Sequence, residues 1–555
     1  MTSDDLCFLP LHHAADLMAR GELSPVALTE AYLDRIERYD TTVRAYLHVR
    51  AEQALADARQ AEADLRSGHR LGPLQGIPFG LKDNIDVAGV PTTAASRVLA
   101  GRIPAAHAPV ATALLGQGGV LLGKHNTWEF GTGTGEVQED LPHPVARNLW
   151  DTTRFTGGSS SGTGAAVAAG MAAFGIGSDT GGSVRVPSSA NGLVGLKPRL
   201  GLLSQRGILP NAPAFDCPGP LTRCVTDSAL VMQALTRPGA TGATDPTVRP
   251  RASEDYTAGL GRGVRGLRVG FIQSFHTRDV EVPPEIVSNL EEAARLFRHM
   301  GAEVEAIDLP YSLHDYRACV RVIGQAESLA LHGGTFAHHY GAMGKGLRDK
   351  FLSSLLISGD DVVHAMRWRT QLCAAVTRLF GRYDVLLCAS ALQPVPALND
   401  QPGMLQFVMG AANVVFSTTG HPALVMPSGV DGNGLPMSIQ LVAPHFQEAR
   451  LLQVAAAYER ERALDLGRPT LQAGATAPAR ELDDTLPTEG LVSSDSVREA
   501  FARLGLSEVP EALLWRARQL CTLTRAQIAR MPRHLPDDVY TAHVFDTTVH
   551  GRVLP

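Results

Sequence analysis

Helical spacing and short apolar runs take turns along this chain. After Ser24-Pro25, a capping serine followed by proline at the first helical position, Leu28, Ala31, Tyr32 and Ile36 fall on one face of a predicted helix. EQALADARQAEADL spaces its apolar residues in the same way and predicts a second helix over about residues 50–66. The segment LQGIPFGLKDNIDVAGVPTT (74–93) predicts a short buried strand that ends near Lys82 and opens into a polar turn. ATALLGQGGVLLGKHN (111–126) predicts a helix, a glycine stop and another buried strand. GLRVGFIQSF (266–275) and YDVLLCAS (383–390) continue the alternation. Such a pattern predicts an α/β fold, with a mixed central β-sheet covered by helices on both faces. No internal repeat interrupts it.

The pattern changes near residue 470. RPTLQAGATAPARELDDTLPTEG has no hydrophobic period, so residues 468–490 are expected to be a linker after a catalytic domain spanning 1–467. Beyond it, SVREAFARLGL and EALLWRARQLCTLTRAQIARM predict two amphipathic helices in a small extension, 491–555. That segment is too short for a confident core of its own. It is expected to pack on the main body or on a second copy of the chain, which admits a homodimer.

Composition narrows the classes. The 555 residues carry 50 basic and 56 acidic side chains, a net charge of −6, which argues against a nucleic-acid binder. Seven widely spaced cysteines with no C-x-x-C pair predict a reduced, cytoplasmic chain without disulfide or zinc framework. MTSDDLCFLPLHHAADL opens acidic and lacks the basic and apolar blocks of a signal peptide. The longest apolar stretch, GAAVAAGMAAFGIG (164–177), is too short and glycine-broken to span a membrane. His12/His13 and His338/His339 have no Glu or Cys at ligand spacing and are expected to be solvated or capping; no metal site is expected.

The 55 glycines exceed the usual share of about 7%. Thirteen of them lie in residues 157–207. GGSSSGTG lacks the lysine of a phosphate-binding loop, GTGTG (131–135) lacks the G-x-G-x-x-G frame, and G-x-S-x-G is absent from the tract. A hydrolytic reading fits better. Thr180-Gly181-Gly182-Ser183 supplies a serine nucleophile and successive unobstructed backbone N–H groups to hold an oxyanion. With no histidine nearby, the base is sought in a lysine kept neutral by burial, and Lys82 closes a buried strand.

Three long segments in fixed order, GIPFGLKDNIDVAGVPTTAAS, GGSSSGTGAAVAAG and GSDTGGSVRVPSSANGLVGLKP, resemble the linked signatures of the amidase signature family. KHNTWEFG (124–131), FDCPGPLTR (215–223), STTGHPALVMPSG and GLPMSIQLVAP extend the resemblance over about residues 10–465, with a variable middle from about 275 to 400. The 24-residue step from Ser159 to Ser183 is the spacing that family uses between its two catalytic serines. The resemblance implies that Ser183 is the acylated nucleophile, Ser159 the middle serine after a cis Gly158–Ser159 bond, and Lys82 the general base. It implies an oxyanion hole of the Thr180, Gly181, Gly182 and Ser183 amides, with Asp179 and Arg185 bracing the loop. Ser160, with Ser161 and Thr163, is expected to cap the following helix. Trp128 to Gly135, including Gly131 and Gly133, is expected to wall the acyl pocket, although Trp128 equally suits the core.

The function this implies is hydrolysis of a small-molecule carboxylic amide through an acyl-serine, with no metal or organic cofactor. A carbamate or urea-type carbonyl is an alternative within the same chemistry. Another is the glutamine-amidase subunit of a tRNA-dependent amidotransferase. The C-terminal extension, and Ser417 and Ser438 where the family usually shows Asn and Gly, favour a stand-alone enzyme that needs neither nucleic acid nor membrane. Both departures are expected to lie away from the triad.

Overall fold

The computed structural model describes residues 2–133, 140–237, 245–249, 254–468, 471, 486–536 and 539. Most of the expected linker, the end of the expected pocket wall (Thr134 and Gly135) and the last residues of the extension lie outside them. Helices form where their local signals stand. Ser24 Oγ accepts the Ala27 N–H and starts the helix Pro25–Val43. The helix Ala51–Arg66 follows, and Pro109–Leu115 precedes a buried strand as the glycine stop predicts.

Eleven strands form one mixed sheet: β1 (Tyr46–Val49), β2 (Pro78–Lys82), β3 (Val120–His125), β4 (Phe174–Asp179), β5 (Val194–Lys197), β6 (Cys217–Thr222), β7 (Arg268–Ile272), β8 (Glu303–Ile307), β9 (Val385–Ala389), β10 (Ala423–Val430) and β11 (Pro436–Val442). Their order is β1-β3-β2-β4-β6-β5-β10-β11-β9-β7-β8. β2 runs parallel to both β3 and β4, with Leu81 opposite Ile176. Parallel pairing brings the carboxyl ends of β2 and β4 to one edge of the sheet, so Lys82 and Asp179 end up close together although 97 residues separate them. Both strands are buried throughout, which is why they read as continuous apolar or small-residue runs.

The extension supplies two described helices, Ser494–Arg503 and Glu511–Arg530. They lie on the main body. Val497, Phe501, Leu514 and Leu520 share one apolar cluster with Phe130, Phe336, Phe351 and Leu352. Thus the apolar faces of the extension are covered by helices of the variable middle, Leu313–His339 and Lys345–Ser354.

Candidate active site

Lys82 ends β2 with its ammonium group inside the protein, fully buried. Nζ lies 2.7 Å from Ser159 Oγ and 2.9 Å from Ser178 Oγ, and Asn84 Nδ2 donates to the same Ser178 oxygen at 3.0 Å. Burial lowers the Lys82 pKa to about 7, against the opposing pull of the Asp216 and Asp179 carboxylates. The lysine thus reaches its neutral, basic form near neutrality. Ser178 was not singled out from sequence, although it directly precedes Asp179 in the third motif.

Ser159 follows a peptide bond from Gly158 that is cis, as the resemblance implies. Its carbonyl accepts from the Trp128 N–H at 3.1 Å and Thr127 Oγ1 at 2.9 Å. The Trp128 ring packs against Gly158: a methyl group added there would come within 2.1 Å of it. Trp128 is 8% exposed and stacks on Phe155, so it backs the Gly158–Ser159 segment from the core. Gly133 also abuts its ring. Gly131 stands closer to the chemistry, since a methyl group at its α-carbon would sit 3.6 Å from Lys82 Nζ and 3.8 Å from Ser159 Oγ.

The capping expectation for Ser160 fails. The helix Ser161–Ala168 has no side-chain cap; Ser160 Oγ donates instead to the Ser178 carbonyl at 3.3 Å, tying the helix start to β4. A buried backbone makes the cap unnecessary, because the Asn126 carbonyl already accepts the Gly162 N–H at 2.9 Å. Neither Ser161 nor Thr163 takes the capping role, and Thr163 Oγ1 is buried without a hydrogen bond.

Ser183 is half-buried, on the turn between β4 and the helix Arg185–Asn191. Its carbonyl accepts the Ser160 N–H at 3.2 Å, which stitches the two serine loops together. Asp179 organises that turn. Its carboxylate accepts the N–H groups of Gly182 (2.8 Å) and Val184 (3.2 Å) and pairs with Arg185 at 2.9 Å. Burial opposes the charge, yet the Arg185 guanidinium holds the Asp179 pKa below the ordinary value. One expected oxyanion donor is thereby withdrawn. The single proton of the Gly182 amide is committed to Asp179.

Arg185 is completely buried and uses all five of its N–H donors. Besides Asp179 they reach the Asn413 carbonyl (2.9 Å), Gln440 Oε1 (2.8 Å) and Ser417 Oγ (2.8 Å). Ser417 was expected to lie away from the triad; folding places it against the arginine that braces the turn carrying Ser183. Ser438 joins the same region through Ser189, Ser390 and Asn413. Two further residues escaped the sequence reading. Asn211 Nδ2 donates to the Gly131 carbonyl (3.3 Å) and to Thr180 Oγ1 (3.2 Å), and Thr180 Oγ1 donates to Asp216 at 2.5 Å. Asp216 carried a signal, lying within the FDCPGPLTR match; Asn211 carried none.

Among the described residues, one group gathers metal-ligating atoms: His12, Cys224 and Asp227, within 4.8 Å of one another. Sequence spacing missed this association because more than 200 residues separate His12 from Cys224 and Asp227. Both Asp227 oxygens accept backbone N–H groups, of Leu11 and His12, and His12 Nδ1 contacts the same carboxylate at 2.7 Å. That carboxylate serves to cap the start of the helix Leu11–Ala19.

A family model described as Amidase matches residues 27–452. The chain belongs to the amidase signature family. Members of this family hydrolyse amide C–N bonds. A glutamyl-tRNA(Gln) amidotransferase subunit from Chloroflexus aggregans is 35% identical over 499 residues, covering 84% of this chain and 99% of that protein. A chain of a vestigial protein complex that reveals the evolutionary origins of an s-triazine catabolic enzyme superposes with a TM-score of 0.75 at 28% identity, covering 83% of this chain and 100% of that one. The peptide amidase of Stenotrophomonas maltophilia gives a TM-score of 0.72 at 28% identity, covering 83% and 98%. These amidase folds share the large mixed sheet flanked by helices. Among the described residues, no helix is long and apolar enough to cross a membrane.

Proposed function

We propose that the chain hydrolyses a carboxylic amide through an acyl-Ser183 intermediate, with Ser159 and Lys82 relaying the proton. The observation that carries this reading is the buried Lys82–Ser159 contact of 2.7 Å, with the lysine near neutrality. Neutral Lys82 takes the Ser159 proton while Ser159 takes that of Ser183, and Ser183 Oγ attacks the carbonyl carbon. The oxyanion that forms rests on the Thr180, Gly181 and Ser183 N–H groups, each such donor being worth about 3 kcal/mol in the transition state. The C–N bond then breaks as the proton returns through Ser159 to the departing nitrogen, which leaves poorly without it. Water, deprotonated along the same relay, attacks the ester. Carboxylate and amine or ammonia are released, and Ser183 regains its proton.

The substrate readings diverge here. A stand-alone amidase is the first expectation from sequence, but the names of the curated relatives support the second reading better, a glutamine-hydrolysing amidotransferase subunit. Glutamine therefore stands beside aliphatic, aryl and peptide amides in the test. Ser183→Ala is expected to abolish turnover of every active amide and to remove labelling by a fluorophosphonate, with the fold intact by circular dichroism. Retained turnover refutes the acyl-serine reading. Ammonia release from glutamine only with partner subunits present decides for the second reading; release by the purified chain decides for the first.

A further inference from the structure

The helix Lys345–Ser354 touches the active-site loops and the C-terminal extension at once. Its first amide stands beside the N-cap Gly344, whose N–H donates to Glu129 Oε2 at 2.8 Å. Glu129 opens the Glu129–Gly131 turn, and its other carboxylate oxygen accepts from Ser96 Oγ at 2.5 Å. Midway along the helix, Lys350 Nζ donates to Asn211 Oδ1. Asn211 in turn holds both the Gly131 carbonyl and Thr180 Oγ1. Lys350 is therefore linked through one side chain to the loop beside Lys82 and to the loop that carries Ser183.

The preceding residue points elsewhere, as neighbours on a helix must. Asp349 takes a two-pronged pair from Arg516 of the extension, Nε to Oδ1 at 3.0 Å and Nη2 to Oδ2 at 2.5 Å. One turn further along the extension helix, Cys521 Sγ donates to the Leu352 carbonyl at 3.1 Å. Phe130, which adopts a left-handed backbone (φ 53°) between Glu129 and Gly131, is buried in the same apolar cluster as Phe501 and Leu520 of the extension. Polar and apolar contacts thus run by the same route, from the extension through one helix to Gly131 and Thr180.

We propose that Arg516 is a positioning residue for acyl transfer at Ser183, acting through Asp349 and the Lys345–Ser354 helix to hold the Gly131 and Thr180 loops in register. This rests on the acyl-serine reading above. A bidentate guanidinium–carboxylate pair fixes both distance and orientation, which a single charge contact does not. A displacement of the Thr180 amide of about 1 Å is enough to cost up to a hundredfold in rate.

The test uses the full chain and a fluorophosphonate, with the first-order inactivation constant and the binding constant at Ser183 read separately by intact mass. Arg516→Ala is expected to lower the inactivation constant by about tenfold to a hundredfold, with the binding constant nearly unchanged. Arg516→Lys, which keeps the charge but not the two-pronged geometry, should recover part of the loss. A folded Arg516→Ala protein that labels at the wild-type rate overturns the proposal. Should Arg516→Ala fail to fold, Lys350→Met cuts the same route while leaving the Arg516–Asp349 pair in place, and an unchanged inactivation constant there overturns it too. Absence of labelling in the wild-type protein overturns the acyl-serine reading itself, and this inference with it.

Discussion

Lys82 owes its basicity to its surroundings. Burial drives its pKa from 10.5 to about 7, while Asp216 and Asp179 pull the other way. If the neutral lysine starts the reaction, acylation should rise with pH through a midpoint near 7 and then level off, as stopped-flow labelling of Ser183 would show. Its sign in stability is also fixed. Between about 7 and 10.5 the unfolded chain binds more protons at this group than the folded one, so its contribution to stability grows with pH across that window. Arg185 makes the complementary case, a buried guanidinium whose five donors are all satisfied. Arg185→Lys keeps the charge but loses the planar fork, and should cost about 3 kcal/mol in urea unfolding. Lys82, Ser159 and Ser183 were legible because each sits in a long motif. Ser178 and Asn211 were not, since a lone serine or asparagine has no pattern until its neighbours are known.

At the scale of elements, the glycine-rich tract works by close approach. The helix Ser161–Ala168 lies so near its neighbours that a methyl group at Gly162 would meet the Ala45 carbonyl oxygen at 2.4 Å and the Asn126 nitrogen at 2.5 Å. Both are backbone atoms and have no rotamer to escape into. Gly162→Ala is therefore expected to destabilise the protein by about 3 kcal/mol in equilibrium unfolding, and to slow labelling by shifting Ser159. β4 repeats the device, with Gly177 against Ser160 and Gly175 against Thr163. Small residues signalled close packing in the sequence. Which atoms would approach them was not readable, and for that reason the serines looked like caps when Ser160 in fact spans to β4.

Across the whole molecule, the extension is joined to the catalytic body by a shared core rather than by charges alone. Phe501 is fully buried in that core, and Phe501→Ala should cost about 3 to 5 kcal/mol. Urea unfolding followed by circular dichroism would register the loss. The two amphipathic helices were predictable from their period, but not the body they cover, because an apolar face specifies that it must be buried and not against what. The sequence alone determined the α/β class, the strand that ends at Lys82, the serine spacing and the family, since these are recorded in residues adjacent along the chain. Only the tertiary structure decided that Ser417 supports Arg185, that Gly182 spends its amide on Asp179, and that Asp349 and Lys350 join the extension to the site. Those contacts bring together residues far apart in the chain, and packing, not local pattern, sets which of them meet.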